Sequence, residues 1–153
     1  MKSQSLTDEF CYLLRVRYAD CDMQGIVFNV RYAEYIDVAV TEFMRDLWKG
    51  GFHVLIEEGY DTHVVSMHLD WKASAKFDDV LCIVPRISEI KNSSFVVNFD
   101  LYNEKTSELL VEAYVVYVMI SLDDHKKTTI PDKFRQMMNE PIVGHVNHAG
   151  EIK

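Results

Sequence analysis

Residues 18–45 read YADCDMQGIVFNVRYAEYIDVAVTEFMR, and how this stretch divides governs the reading of the whole chain. It opens with a polar turn carrying two acids, Asp20 and Asp22, and a glycine, Gly25. A short apolar step follows (Ile26, Val27, Phe28), then Asn29, whose side chain can accept from the free amides of a first helical turn. Tyr32, Ile36, Ala39, Phe43 and Leu47 recur at helical spacing, with Arg31, Glu34, Asp37 and Arg45 on the polar side. Val38, Val40 and Met44 widen the apolar face beyond one stripe, which predicts a helix enclosed by a sheet. Gly50-Gly51 stops it. A carboxylate just ahead of a buried helix is costly to leave without a partner, so the two acids need a reason.

On either side of the helix the apolar period falls to two. Upstream, Phe10, Tyr12, Leu14, Val16 and Tyr18 alternate with Arg15 and Arg17, predicting a strand that delivers the chain to the acidic turn. Downstream, Phe52–Gly59 reads as a short helix. In residues 62–73, Val65, Met67, Leu69, Trp71 and Ala73 share one strand face, and Ser66, His68, Asp70 and Lys72 the other. Val80–Ile90 is a strand whose Pro85 predicts an edge position or a bulge. Phe95–Tyr102 is another strand. Leu109–Ile120 is apolar on both faces, which predicts either a central place or a sheet continuing into another subunit. A short helix closes the pattern at 131–138. The order is α+β: a curved antiparallel sheet wrapped around one long central helix. The expected division is a polar segment at 1–9, a single domain at 10–138 and a loose tail at 139–153.

Composition narrows the class. A chain of 153 residues with 48% hydrophobic and 26% charged content fits one globular domain. The net charge of −8 disfavours nucleic acid and anionic membranes as partners. No apolar run is long enough to span a bilayer, and the N-terminal residues lack a secretory core, so a cytoplasmic protein is expected. Three cysteines, Cys11, Cys21 and Cys82, without paired spacing read as reduced thiols.

Several reactive motifs are missing: there is no G-x-S-x-G, H-E-x-x-H, phosphate loop or G-x-G-x-x-G. His63 and His68, five apart, fall on opposite faces of an ideal strand. Cys21 lies between two carboxylates that would weaken it as a nucleophile. The acids remain. By themselves, Asp20 and Asp22 read most simply as turn residues bonding local amides.

The pattern Tyr18-x-Asp20-x-Asp22-x-x-Gly25-x-Val27, followed by Asn29, Tyr32, Tyr35, Ala39, Glu42 and Arg45, resembles the hotdog-fold thioesterases of the 4-hydroxybenzoyl-CoA thioesterase type. The resemblance extends from about Phe10 to Met138, including Phe77-Asp78-Asp79-Val80-Leu81 at a strand start. It implies hydrolysis of an acyl-CoA or acyl-carrier thioester with Asp22 as nucleophile or general base. Backbone N–H groups of Asn29, Val30 and Arg31 would polarise the carbonyl, reinforced by the helix dipole. The Asn29 side chain either assists the carbonyl or water, or caps the helix; Asp20 supports the turn. Tyr32 stands as a substrate contact, with Lys91, Ser93 and Ser94 at the nucleotide end, where relatives can carry more basic residues. No metal or organic cofactor is implied, and a homodimer or homotetramer is. Two rivals share the scaffold: a protein that binds acyl thioesters without turnover, and a dehydratase or hydratase, which needs a histidine near Asp22.

Overall fold

The computed structural model describes residues 8–152. Six strands form one sheet: β1 (Phe10–Arg15), β2 (Tyr60–Trp71), β3 (Val80–Ile90), β4 (Ser94–Asn103), β5 (Leu109–Ser121) and β6 (Gly144–Asn147). The helices are α1 (Arg31–Leu47), α2 (Phe52–Glu57) and α3 (Asp132–Met138). Strand order is β2-β5-β4-β3-β1-β6, antiparallel except where β6 lies parallel to β1.

The core forms where α1 meets the inward face of this sheet. Tyr32, Tyr35, Ile36, Ala39, Val40, Phe43, Met44 and Leu47 are its buried face. Alternate strand residues close over it, among them Phe10, Tyr12, Leu81, Ile83, Phe95, Val97, Phe99, Val111 and Val115. The enclosed helix expected from the apolar girth is what forms, although Val38 is 43% exposed and belongs to the outer side. Beyond Leu47 the chain passes through Gly50 and Gly51 at positive φ. A Cβ on Gly51 would stand 3.2 Å from the Arg45 Cα, so the turn needs glycine there for space as well as conformation.

The strands correct several expectations. β5 lies between β2 and β4; its residues Val111, Ala113, Val115, Tyr117 and Met119 are buried, while Tyr114 on the other face is 41% exposed, so only one face of β5 is core. Pro85 sits past the last β1–β3 pair, Tyr12 with Ile83, where a missing N–H interrupts no β1 ladder. Tyr18 does not continue the first strand: the chain leaves β1 into a single 3-10 turn, Tyr18–Asp20, and Tyr18 is 83% exposed. The tail expected to be loose contributes β6 along β1, and Tyr12 Oη meets His148 Nδ1 at 2.8 Å. A register shift between Val64 and Ser66 puts His63 opposite Val118 and His68 opposite Tyr114. Both histidines therefore point to the outward face, because a bulge reverses the parity that an ideal strand would keep.

Cys11 and Cys82 form a disulfide, contrary to the reading of three reduced thiols; Cys21 is free. Register explains the pair. Leu13 lies opposite Cys82, so Cys11 is the diagonal neighbour on the same face, with Cα atoms 6.0 Å apart. A separation of 71 residues conceals this in the sequence.

Candidate active site

The loop between β1 and α1 is organised by Asp20, the one fully buried charged side chain among the described residues, at 1% exposure. Its Oδ2 accepts from Tyr35 Oη at 2.8 Å and from Arg17 N and Nε at 3.0 and 3.3 Å; its Oδ1 accepts from Arg17 Nη2 at 2.9 Å. Burial pushes this carboxyl upward, but the Arg17 and Tyr35 donors together outweigh it and hold it below the usual range. Burial first, then the neighbouring carboxylate, pushes the Tyr35 hydroxyl far above the usual phenol range. Asp20 was expected to support its own turn; its reach onto α1 through Tyr35 is a tertiary fact.

Asp22 follows in a local turn. Its Oδ1 accepts from Gln24 N at 2.7 Å, its backbone N–H donates to Ile26 O at 2.9 Å, and Gly25 turns the chain back at φ 77°. Among the described residues Oδ2 has no hydrogen-bond partner. The side chain lies at the edge of a cavity of about 380 Å³, whose walls include Ile26, Phe28, Asn29, Tyr32, Trp71 and Lys72. No histidine lines it among the described residues.

Phe28 and Asn29, also on this cavity, lead through Val30 into α1. The residue flanking the helix is Val30, at φ −77°, and no side chain caps it; Asn29 is therefore not the N-cap. A tight turn displaces it, with Arg31 N donating to Phe28 O at 2.8 Å. That bond also engages one of the three amides expected to face a carbonyl. Among the described residues the N–H groups of Asn29 and Val30 have no partner, so the donor set is two amides. Val30 and Arg31 do not line the cavity, whereas Asn29 does.

Tyr32 is a wall of the site. It is 2% exposed, and its hydroxyl accepts from Ala75 N at 3.1 Å, fastening the β2–β3 connection to the start of α1. Lys91, Ser93 and Ser94 are not brought to this site. They form the β3–β4 turn, while Asp22 lies near the opposite end of β3, whose eleven residues extend roughly 35 Å. Arg135 Nη2 holds that distant turn by donating to Lys91 O and Asn92 O, each at 2.9 Å. A larger cavity of about 540 Å³ lies toward the same far end, beside Phe43, Leu47, Arg86 and Met138, and contains none of the expected site residues.

The cavity also takes in Trp71, which the sequence placed only on a strand face: it is 52% exposed and donates from Nε1 to Asn29 O at 3.2 Å. Its place at the end of an alternating strand was legible, but its partner 42 residues away was not.

The sequence profile of the thioesterase-like superfamily matches residues 16–138. The acyl-CoA thioesterase YbgC of Haemophilus influenzae is 27% identical over 130 residues, covering 85% of this chain and 94% of that protein. The 4-hydroxybenzoyl-CoA thioesterase of a Pseudomonas species is 31% identical over 87 residues, 54% of this chain and 60% of that one. In structure, the 1,4-dihydroxy-2-naphthoyl-CoA thioesterase Slr0204 of Synechocystis superposes with a TM-score of 0.77 at 22% identity, covering 84% of this chain and 94% of that one. The sheet curled about α1 is thus a hotdog fold.

Proposed function

We propose, from the premise that the chain belongs to the thioesterase-like superfamily and is a thioester hydrolase, that it cleaves acyl-CoA thioesters at the Asp22 cavity. The observation that supports this reading is one cavity lined by both Asp22 and Asn29. Asp22 has a carboxylate oxygen, and Asn29 a backbone N–H, without a hydrogen-bond partner among the described residues. A thioester carbonyl bound in this cavity would rest its oxygen on the Asn29 amide, which favours the negative charge that develops as the carbon is attacked. Asp22 takes a proton from water as the water oxygen bonds to that carbon. The C–S bond breaks, and the thiol leaves with the proton. In the alternative order Asp22 attacks directly, and water then opens the mixed anhydride. Neither order calls for a metal or cofactor.

Lys91, Ser93 and Ser94 lie too far from Asp22 within one protomer to hold the nucleotide end of the same substrate. In this reading they act only across a subunit boundary. The exposed apolar residues of the outer strand β2 (Val64, Val65, Met67 and Trp71) support such an assembly, because an unpaired strand edge bearing them favours association. We assign a dimer or a dimer of dimers built on β2. No helix among the described residues is long and apolar enough to cross a membrane.

The test follows free thiol with a panel of aliphatic and aromatic acyl-CoAs. Wild-type protein is expected to release thiol, and Asp22→Ala to lose about two orders of magnitude or more in kcat with an unchanged unfolding midpoint. Full activity in Asp22→Ala moves the chemistry elsewhere. Tight acyl-CoA binding without release identifies a binding module. A hydratase is disfavoured because no histidine among the described residues lines the cavity.

A further inference from the structure

One short hairpin joins the two groups of the site. Asp22 N donates to Ile26 O and Phe28 N donates to Asp20 O, each at 2.9 Å, with Cys21 opposite Val27 between them. Residues 20–28 are therefore a small antiparallel ribbon. Asp22 stands toward its tip, Asp20 and Phe28 close its base, and Asn29 follows at once. Phe28 is held at its carbonyl as well, which accepts from Arg31 N at 2.8 Å. A trans peptide is planar, so the fixed Phe28 carbonyl also fixes the N–H of Asn29, the next residue on the cavity wall.

This ribbon has little to hold it. Between Arg17 and Val30 only Asp20 and Val27 are buried. Val27 packs into the core and donates from its N–H to Ala75 O at 2.9 Å, which ties the ribbon to the β2–β3 connection. The tie to α1 is different. Among the described residues the one side-chain hydrogen bond between ribbon and helix is that of Tyr35 to Asp20. Without it the ribbon could swing about its base, carrying Asp22 away from the Tyr32 wall on α1 and twisting the peptides of residues 28–30, which span the gap.

We infer that Asp20 is a positioning residue for hydrolysis: its carboxylate, held by Tyr35 and Arg17, locks the base of the ribbon to α1 and so sets Asp22 against the Asn29 amide. This rests on the thioesterase reading of the Asp22 cavity. A charge at 1% exposure is costly, and an apolar side chain could fill the same space. What the carboxylate adds is direction, because it accepts from four donors at fixed angles. Direction matters here, since a misplacement of about 1 Å can cost on the order of 10²-fold in rate.

Asp20→Asn keeps the size and removes the charge. Tyr35→Phe keeps the carboxylate and its Arg17 donors, cuts the tie to α1, and carries the test if Asp20→Asn does not fold. Each is expected to lower kcat about tenfold with KM within about threefold of wild type. Because both act through one bond, the double variant should lose no more than Asp20→Asn alone. Val97→Ala, in the core on β4, controls for lost stability: it should lower the unfolding midpoint and leave kcat within about twofold. Unchanged kcat in Tyr35→Phe, or losses that multiply in the double variant, overturn the proposal. So does an equal loss in Val97→Ala, since lowered stability would then be the cause. A readout without turnover separates this proposal from the reading beneath it. In ¹⁵N relaxation of the free protein, Tyr35→Phe should lower the heteronuclear NOE of the Gln24, Gly25 and Asn29 amides while residues 39–47 of α1 keep theirs. Ribbon amides as rigid as in wild type refute the tie whether or not the protein hydrolyses any thioester. A loosened ribbon in a protein whose wild type releases no thiol overturns the catalytic role together with the thioesterase reading.

Discussion

Removing a single oxygen from the hinge between loop and helix gives a sharp test of how the site is held. Tyr35→Phe deletes the hydroxyl that donates to Asp20 Oδ2 at 2.8 Å, with both side chains buried. A hydrogen bond to an ionised acceptor contributes about 1.5–3 kcal/mol. The lower part of that range applies, because Asp20 keeps its bonds from Arg17 N, Nε and Nη2 and is not orphaned. The Arg17 side chain is 69% exposed, so its attraction is screened by solvent and contributes little that Tyr35 could borrow. The expected loss is about 1.5–2 kcal/mol, or roughly 3–8 °C in Tm for a domain of this size. Urea unfolding at fixed protein concentration measures it. The pH dependence has a definite sign. Asp20 titrates lower in the folded protein than in the unfolded chain, so its stabilisation is complete above the unfolded value of roughly 4 and is lost as pH falls through the folded value. Tyr35→Phe removes one of the donors responsible. The gap between variant and wild type should therefore be widest near neutrality and shrink below about pH 4. A neutral-pH difference under about 0.5 kcal/mol, or a gap that does not change with acid, would refute the assignment of Asp20 as a charged anchor to α1.

Other outcomes follow from the same geometry. Turnover in H₂¹⁸O tests the direct-attack order: label in the Asp22 carboxylate, with a first-turnover product acid free of label, identifies Asp22 as a nucleophile whose anhydride opens at the aspartyl carbon, and label confined to the product excludes that route. Met67→Asp places a charge on the exposed inward face of β2 and should convert the assembly to monomers by light scattering, with activity falling in parallel; an active monomer rejects the shared site. Thiol titration of native protein should find one reactive cysteine, Cys21, and reduction of the Cys11–Cys82 bond should lower unfolding free energy by about 4 kcal/mol, given its 71-residue separation. Three thiols without reductant would remove the disulfide from the description.

The amino-acid sequence alone determined what depends on local period and local chemistry. The 3.6-residue repeat of Tyr32, Ile36, Ala39 and Phe43 specified an enclosed helix, and the two-residue repeats of the later strands specified a sheet to enclose it. The turn around Asp22 was legible for the same reason, since it closes within four residues, from Asp22 to Ile26; only the family resemblance singled Asp22 out within it. Only tertiary structure decided what depends on register and on partners distant in the chain. One extra residue between Val64 and Ser66 turned His63 to the face of His68, and a diagonal across β1 and β3 brought Cys11 to Cys82. The bond from Trp71 to Asn29 joins a strand end to the start of a helix. Lys91, Ser93 and Ser94, expected at the nucleotide end, fall in the β3–β4 turn, which the length of β3 sets far from Asp22. Side-chain period is a property of neighbours in the chain. Which neighbours meet across space follows from bulges, strand order and burial, which no single stretch of sequence contains.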